Sequence, residues 1–265
     1  MKDCSIRRKL PLYKGFIFAL IVGGACALGI KLLAPPHHST FEKQQWSFEG
    51  PFGTYDKAAL QRGFQVYKEV CATCHSLKRL RFRELSGLGF NTAEIKALAA
   101  SYQVKTLNDA GEEVERPALP SDALPSPYAN DLVARSANNG ALPPDQSLII
   151  KGRPHGADYV YALLTHYGLE VPKDVTVAEG RHYNPIMSGG QIAMAPPLKD
   201  DQVAYSDGTK ATIAQMSHDV VTFLSWVSEP EMESRKQTGV SVLIYLLVMT
   251  GVLYAVKRRV WKDIH

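Results

Sequence analysis

The chain has 265 residues, a formal net charge of +4 and only four cysteines, and 45% of its residues are hydrophobic. This length is enough for one well-packed domain together with a membrane anchor or a tail. Its basic residues crowd the two ends and form no basic stripe, so no nucleic-acid partner is expected.

Residues 1–34 are expected to be a signal peptide or an N-terminal anchor. A basic start is followed by an apolar run from Gly15 to Ile30, which Lys31 ends. Ala25-Cys26-Ala27 offers an A-x-A cleavage site, which favours a signal peptide. An uncleaved anchor and a lipidated Cys26 are the alternatives. Each of these would place the following domain outside the cytoplasm.

A first helix is predicted by four residues at helical spacing: Leu60, Phe64, Tyr67 and Cys71. Thr54 or Asp56 is suited to cap it, and Gly63 leaves room for a crossing helix. The expected crossing partner is the segment 210–228, which carries an apolar stripe and precedes Pro230.

The pentapeptide Cys71-Ala-Thr-Cys74-His75 is the C-x-x-C-H pattern that attaches a c-type haem. Its two thiols can form thioethers with the vinyl groups, and the adjacent His75 can ligate the iron. A zinc half-site would need two more ligands, and a thioredoxin-like pair lacks the trailing histidine. Because Cys4 and Cys26 lie in the N-terminal segment, no structural disulfide is expected, and haem attachment implies export.

The middle of the chain is predicted to be rich in loops. Residues 117–144 and 184–197 hold many prolines and glycines, and only residues 158–167 between them read as a helix. So much irregular chain is costly to order unless a buried group such as haem organises it.

The sixth iron ligand is left open by the spacing alone. Met194 is favoured because alanines flank it and Pro196-Pro197 stiffens its loop. Met187 and a second histidine are the alternatives, with gap filling in the core as the ordinary role of any methionine.

A membrane-spanning helix is predicted near the C-terminus. Residues 239–256 form an 18-residue run without a charge, close to the hydrocarbon thickness of a bilayer. The dense basic cluster 257–259 places the C-terminal end in the cytoplasm. The expected division is a haem domain at 35–235, a transmembrane helix at 236–257 and a short cytoplasmic tail at 258–265, with the haem domain on the periplasmic side.

Several stretches together resemble the cytochrome c1 family, the haem subunit of the cytochrome bc1 complex, over about residues 46 to 262. These stretches, in chain order, are 62–67, 71–76, 137–145, 158–160, 163–165, 183–185 and 192–197, followed by the single C-terminal anchor. The resemblance implies a mainly α fold, a c-type cytochrome haem domain with long loops plus one C-terminal transmembrane helix. It also implies one haem c, covalently attached through Cys71 and Cys74.

The resemblance further implies which residues surround the haem. His75 and Met194 would be the axial ligands, Arg153 would pair with a haem propionate, and Asn138, Pro143 and Tyr159 would line the pocket. Without the family, Arg153 reads equally well as a solvated loop charge.

The function implied is electron transfer within a quinol–cytochrome c oxidoreductase of the respiratory chain. A Rieske iron–sulfur protein would supply one electron and a cytochrome c would accept it, beside cytochrome b and membrane lipid in a dimeric complex. The subunit would have no independent catalytic site, and the expected location is the bacterial inner membrane, spanned once.

The charged surface bears on the docking partner. Family members are expected to bind a basic cytochrome c through an acidic surface, which Glu112, Glu113 and Glu115 offer, whereas residues 78–81 are basic.

Two rival functions are a haem subunit of a terminal oxidase, and a haem enzyme or gas sensor with an open iron site.

Overall fold

The computed structural model describes residues 42–173 and 175–263, so the expectations for residues 1–34 lie outside the described residues. Within those ranges the helices are α1 (Lys57–Glu69), α2 (Thr92–Ala100), α3 (Asp131–Ala137), α4 (Gly156–Thr165), α5 (Ile213–Ser228) and α6 (Met232–Val260). Two 3₁₀ segments, Cys71–Thr73 and Phe82–Leu88, and two short hairpins complete the described chain. The mainly α fold with one long apolar C-terminal helix is confirmed.

Helix α1 is capped by Asp56, whose carboxylate accepts hydrogen bonds from the backbone N–H groups of Ala58 and Ala59. It buries the predicted stripe of Leu60, Phe64 and Tyr67 in the main hydrophobic core. The helix ends at Glu69, so Cys71 lies in the following 3₁₀ turn and not on the helix that the spacing predicted.

The crossing of α1 and α5 is the centre of the domain. A Cβ atom at Gly63 would lie 2.0 Å from the carbonyl oxygen of Asp219 and 2.7 Å from Cβ of Phe223, so only glycine permits this approach. Helix α5 is buried along most of its length, as the central helix of a core must be. The partner helix predicted from residues 210–228 is therefore the observed one.

An ion pair locks this crossing. The Arg62 guanidinium donates to both carboxylate oxygens of Asp219, at 2.9 and 3.1 Å, and Asp219 is fully buried. Asp207 and Gln215 complete the network around these two side chains. Breaking such a buried pair leaves an uncompensated charge, so the network fixes the register of the two helices.

Two antiparallel hairpins interrupt the loops of the middle region. Strands β1 (Gln103–Leu107) and β2 (Glu113–Pro117) pair with Gln103 opposite Pro117 and Leu107 opposite Glu113. Strands β3 (His182–Tyr183) and β4 (Gln191–Ile192) pair with His182 opposite Ile192. Helix α3 lies inside the proline-rich region that was predicted to be loop.

Helix α6 is 29 residues long and contains an 18-residue window with a mean hydropathy of 2.2, so it is long and apolar enough to cross a bilayer. It extends the predicted apolar run by about two turns at its N-terminal end. That end is tied to the domain, because Glu233 accepts the N–H of Tyr55 at 2.8 Å. Lys236 Nζ donates to the carbonyls of Phe48 and Gly53, at 2.7 and 3.0 Å.

Candidate functional site

A cavity of about 920 Å³ opens beside the C-x-x-C-H turn. Its walls come from the end of α1, the segment 137–146, helix α4, the loop 187–197 and the middle of α5. The volume lies in the upper part of the range for ligand and cofactor sites.

All the site residues predicted from the sequence line this one cavity: Cys71, Cys74, His75, Asn138, Pro143, Arg153, Tyr159 and Met194. They come from segments as much as 123 residues apart in the chain. Their roles toward a bound group remain predictions, whereas their convergence is an observation.

The turn that carries the two cysteines is tightly wound. The backbone N–H groups of Cys74 and His75 both donate to the carbonyl of Cys71, at 3.1 and 2.8 Å. The Tyr67 hydroxyl donates to the carbonyl of His75 at 3.0 Å and so ties the turn to α1. The two thiols are free and face the same cavity.

Burial raises the pKa of the Cys71 thiol to about 12, with a smaller contribution from Cys74. A thiol that stays protonated at neutral pH lacks the thiolate on which a thioredoxin-like pair depends. Within residues 42–173 and 175–263, no group of three or more His, Cys, Asp or Glu side chains is arranged to hold a metal ion.

The orientation of His75 is set by a carbonyl group. His75 Nδ1 lies 2.8 Å from the carbonyl oxygen of Pro144, which can only accept, so Nδ1 carries the proton and Nε2 keeps its lone pair. Burial lowers the pKa of His75, although the Pro144 carbonyl and the Asp145 charge oppose the shift. A neutral imidazole with a fixed ring and a free Nε2 is suited to ligate iron.

Asp145 holds the segment that carries Pro144 in place. Its carboxylate accepts from the Ser76 hydroxyl at 2.8 Å and from the N–H groups of Lys78 and Ser147, at 2.9 and 3.0 Å. Burial alone would raise the pKa of Asp145, but these hydrogen bonds outweigh it and lower the pKa. The C-x-x-C-H turn and the Pro144 carbonyl are thus joined through one side chain.

Both candidate methionines, Met187 and Met194, line the cavity. Met187 is exposed, and its sulfur accepts a hydrogen bond from the Tyr159 hydroxyl at 3.6 Å. The backbone of Met194 is held by the Tyr167 hydroxyl, which donates to its carbonyl at 3.1 Å. Among the described histidines, His75 alone lines the cavity, so a second histidine ligand gains no support, and the choice of Met194 over Met187 stays a prediction.

The polar residues predicted around the haem have distinct environments. The Asn138 side chain donates to the hydroxyl of Tyr128 and the carbonyl of Ala134, and so caps the end of α3. Arg153 donates only to the carbonyl of Gly152 and forms no salt bridge with any described residue. It therefore lies at the cavity without a carboxylate partner among the described residues.

Sequence reasoning missed some lining residues. Arg181 is a second arginine at the cavity, and Val220 and Leu224 of α5 supply an apolar wall. Val220 and Leu224 are four residues apart, so helical periodicity could have revealed their shared face. No local pattern marks Arg181, which immediately precedes β3.

None of the acidic and basic residues considered for docking lines the cavity. Glu112, Glu113 and Glu115 belong to the β1–β2 hairpin, where Glu113 forms an ion pair with Lys105. Arg81 donates to the carbonyl of Ser121, so part of the basic stretch is structural.

These residues fit a haem. A haem is an amphipathic porphyrin with two carboxylates, and the cavity offers groups that match each of its parts. These groups are two free thiols, an imidazole with Nε2 available, a thioether on a braced loop, apolar walls, and two arginines without carboxylate partners among the described residues. A helical domain with this site, followed by one apolar spanning helix, defines a membrane-anchored c-type cytochrome.

Comparison with known proteins places the chain more narrowly. Residues 46–264 match the Cytochrome C1 family. The chain is 44% identical over 263 residues to cytochrome c1 of Rhodospirillum rubrum, covering 93% of this chain and 97% of that protein. It is 47% identical over 220 residues to a Candida albicans protein named cytochrome b-c1 complex catalytic subunit, mitochondrial, covering 83% of this chain and 76% of that protein.

A longer relative, named cytochrome b/c1, occurs in Bradyrhizobium diazoefficiens. It is 44% identical over 271 residues, which cover 93% of this chain but only 39% of that protein. The chain belongs to the cytochrome c1 family. It is therefore a haem-binding, membrane-anchored protein of respiratory electron transport, as the resemblance of its motifs implied.

Proposed function

We propose that the chain is the haem subunit of a quinol–cytochrome c oxidoreductase, which a Rieske iron–sulfur protein reduces by one electron and a cytochrome c reoxidises. The observation that carries this proposal is the convergence of the C-x-x-C-H turn and the Met194 loop on one cavity. The name of the Candida albicans relative supports membership of a b-c1 complex.

In this proposal the chain attaches and orients one haem c. Cys71 and Cys74 would hold the group through two thioethers, and His75 Nε2 and Met194 would ligate its iron. The Pro144 carbonyl fixes the His75 ring, and the bond from Tyr167 holds the Met194 loop. The bound group supplies a one-electron iron centre whose potential His/Met ligation raises.

The remaining lining residues position the group and exclude water. Arg153 pairs with a propionate, while Pro143 and Tyr159 close the pocket and Asn138 holds the end of α3 against it. An iron held by both His75 and Met194 would leave no position for a substrate, so the chain would need no acid or base of its own. Quinol chemistry therefore belongs to other subunits, and the chain acts as an enzyme only within the complex.

The topology proposed is a single membrane pass. Residues 1–34 are a signal peptide or anchor, 35–235 the periplasmic haem domain, 236–257 the transmembrane helix and 258–265 a cytoplasmic tail. The basic cluster 257–259 supports a cytoplasmic C-terminus in a bacterial inner membrane. Cytochrome b, the Rieske subunit and membrane lipid are the proposed neighbours, in a dimeric complex.

The test is a potentiometric titration of the detergent-extracted protein, followed at the reduced haem band, with carbon monoxide added at the end. Met194→Leu should lower the midpoint potential by on the order of 0.1–0.3 V, since axial ligands set haem potentials over a range of about 0.8 V. It should also make the reduced haem bind carbon monoxide.

Met187→Leu is the matched control, because Met187 lines the same cavity. It should leave the potential near that of the unmodified protein. If Met187→Leu produced the large change and Met194→Leu did not, the ligand assignment would be wrong. If the unmodified protein already bound carbon monoxide, an open-site sensor or enzyme would replace the electron carrier.

A further inference from the structure

The charged lining of the cavity is unbalanced. Of its Asp, Glu, Lys and Arg side chains, one is a carboxylate, Glu69, and two are arginines, Arg153 and Arg181. Glu69 accepts a hydrogen bond from Gln65 on its own helix, and no salt bridge joins it to either arginine. The two arginines can therefore form ion pairs with anionic groups of a ligand bound in the cavity.

Arg181 is held at the cavity by its backbone. Its N–H donates to the carbonyl of Ala178 at 3.1 Å, and the N–H of Ala178 donates to Gln191 Oε1 at 3.0 Å. Gln191 itself lines the cavity, so a lining side chain braces the turn that presents Arg181.

The same turn lies close to a second lining segment. Gly180 adopts a φ of +73°, a conformation that favours glycine, and a Cβ there would lie 3.8 Å from Nδ2 of Asn139. Asn139 also lines the cavity. Arg181 therefore follows directly after the point where the loop 178–181 meets the turn at Asn139.

The Arg181 side chain has no salt bridge or hydrogen bond to any residue in the described ranges, and it is exposed to solvent. An ordinary surface arginine gains little from pairing and needs no partner. What distinguishes Arg181 is that it lines a large, mainly apolar cavity that a second arginine, Arg153, also lines, and neither has a carboxylate partner among the described residues.

Resting on the proposed haem function, we propose that Arg181 binds the second carboxylate of the haem, so that Arg153 and Arg181 each hold one propionate. A planar guanidinium forms two parallel hydrogen bonds with a carboxylate, which a lysine does not. Arg181 is thus a positioning residue of the cofactor. Its charge also favours the reduced iron, which carries one positive charge fewer than the oxidised iron.

The test compares Arg181→Gln with Arg83→Gln in the full-length, haem-loaded protein. Arg83 is also exposed but does not line the cavity, so it controls for the loss of a surface charge. At fixed potential, Arg181→Gln should lower the ratio of reduced to oxidised haem about threefold, the size expected for one partly screened charge. This corresponds to ~30 mV at 59 mV per tenfold change.

Arg181→Lys should restore part of that ratio, because it keeps the charge and loses the planar fork. A ratio for Arg181→Gln equal to that of Arg83→Gln would overturn the proposal. So would an unchanged ratio with slower reduction of a soluble cytochrome c at low salt, which would assign Arg181 to docking. Absence of covalent haem from the unmodified protein would instead refute the proposed function itself.

Discussion

Replacing Gly63 with alanine tests whether the crossing of α1 and α5 supports the haem site. The new Cβ would lie 2.0 Å from a backbone carbonyl oxygen, about 1.4 Å short of the 3.4 Å at which ordinary contact begins. A carbonyl of a buried helix cannot rotate aside, so the helices must separate. A separation of about 1 Å removes up to half of the dispersion energy of each contact along the crossing.

The expected cost is about 3 kcal/mol for overpacking, offset by about 1 kcal/mol because alanine favours a helix more than glycine does. A net loss of about 2 kcal/mol in the free energy of unfolding is therefore expected. Because α1 leads into Cys71 and α5 carries Val220 and Leu224, the haem band should also broaden or weaken.

Chemical denaturation followed by circular dichroism measures the stability, and the haem absorbance of the same samples measures the site. Gly239→Ala is the control, since Gly239 is also helical but has open space around its Cβ position. If Gly63→Ala were as stable as Gly239→Ala and kept a normal haem spectrum, the argument from the close crossing would be refuted.

Two further predictions concern single side chains. Tyr167→Phe removes the hydroxyl that donates a hydrogen bond to the Met194 carbonyl, a bond worth about 1 kcal/mol. The fraction of reduced haem that reacts with carbon monoxide should therefore rise about fivefold. An unchanged fraction would contradict a bracing role. A hydrogen bond from Arg116 holds the pKa of Asp122 at about 2, so its stabilising effect is present above the ordinary pKa of 3.8 and is lost toward pH 2. Asp122→Asn should therefore flatten the fall in unfolding free energy between about pH 5 and pH 2.5, measured by denaturant titration; a slope equal to that of the unmodified protein would contradict this.

The sequence was most informative where the relevant pattern is local. Helix α1, its cap at Asp56 and its crossing point at Gly63 follow from spacing within one or two turns. The long apolar helix follows from composition alone. The C-x-x-C-H motif is equally local, which is why Cys71 to His75 could be assigned to one site.

The parts that sequence reasoning missed depend on contacts between distant segments. The carboxylate of Asp145 joins residues 76–78 to residue 147, and nothing in its neighbours marks that role. Helix α3 is hidden among prolines, because its Asn130 cap and short length give a weak periodic signal. The hairpin at 103–117 does alternate, but its largely exposed faces give little hydrophobic contrast.

The bonds at the base of α6 have a mechanical consequence. Because Glu233 and Lys236 are bonded to the segment 48–55 just before α1, the first turns of α6 are braced against the chain that leads into α1. The domain is therefore fixed to the start of the apolar helix by side-chain hydrogen bonds as well as by the chain itself. A tilt of that helix would carry the cavity with it.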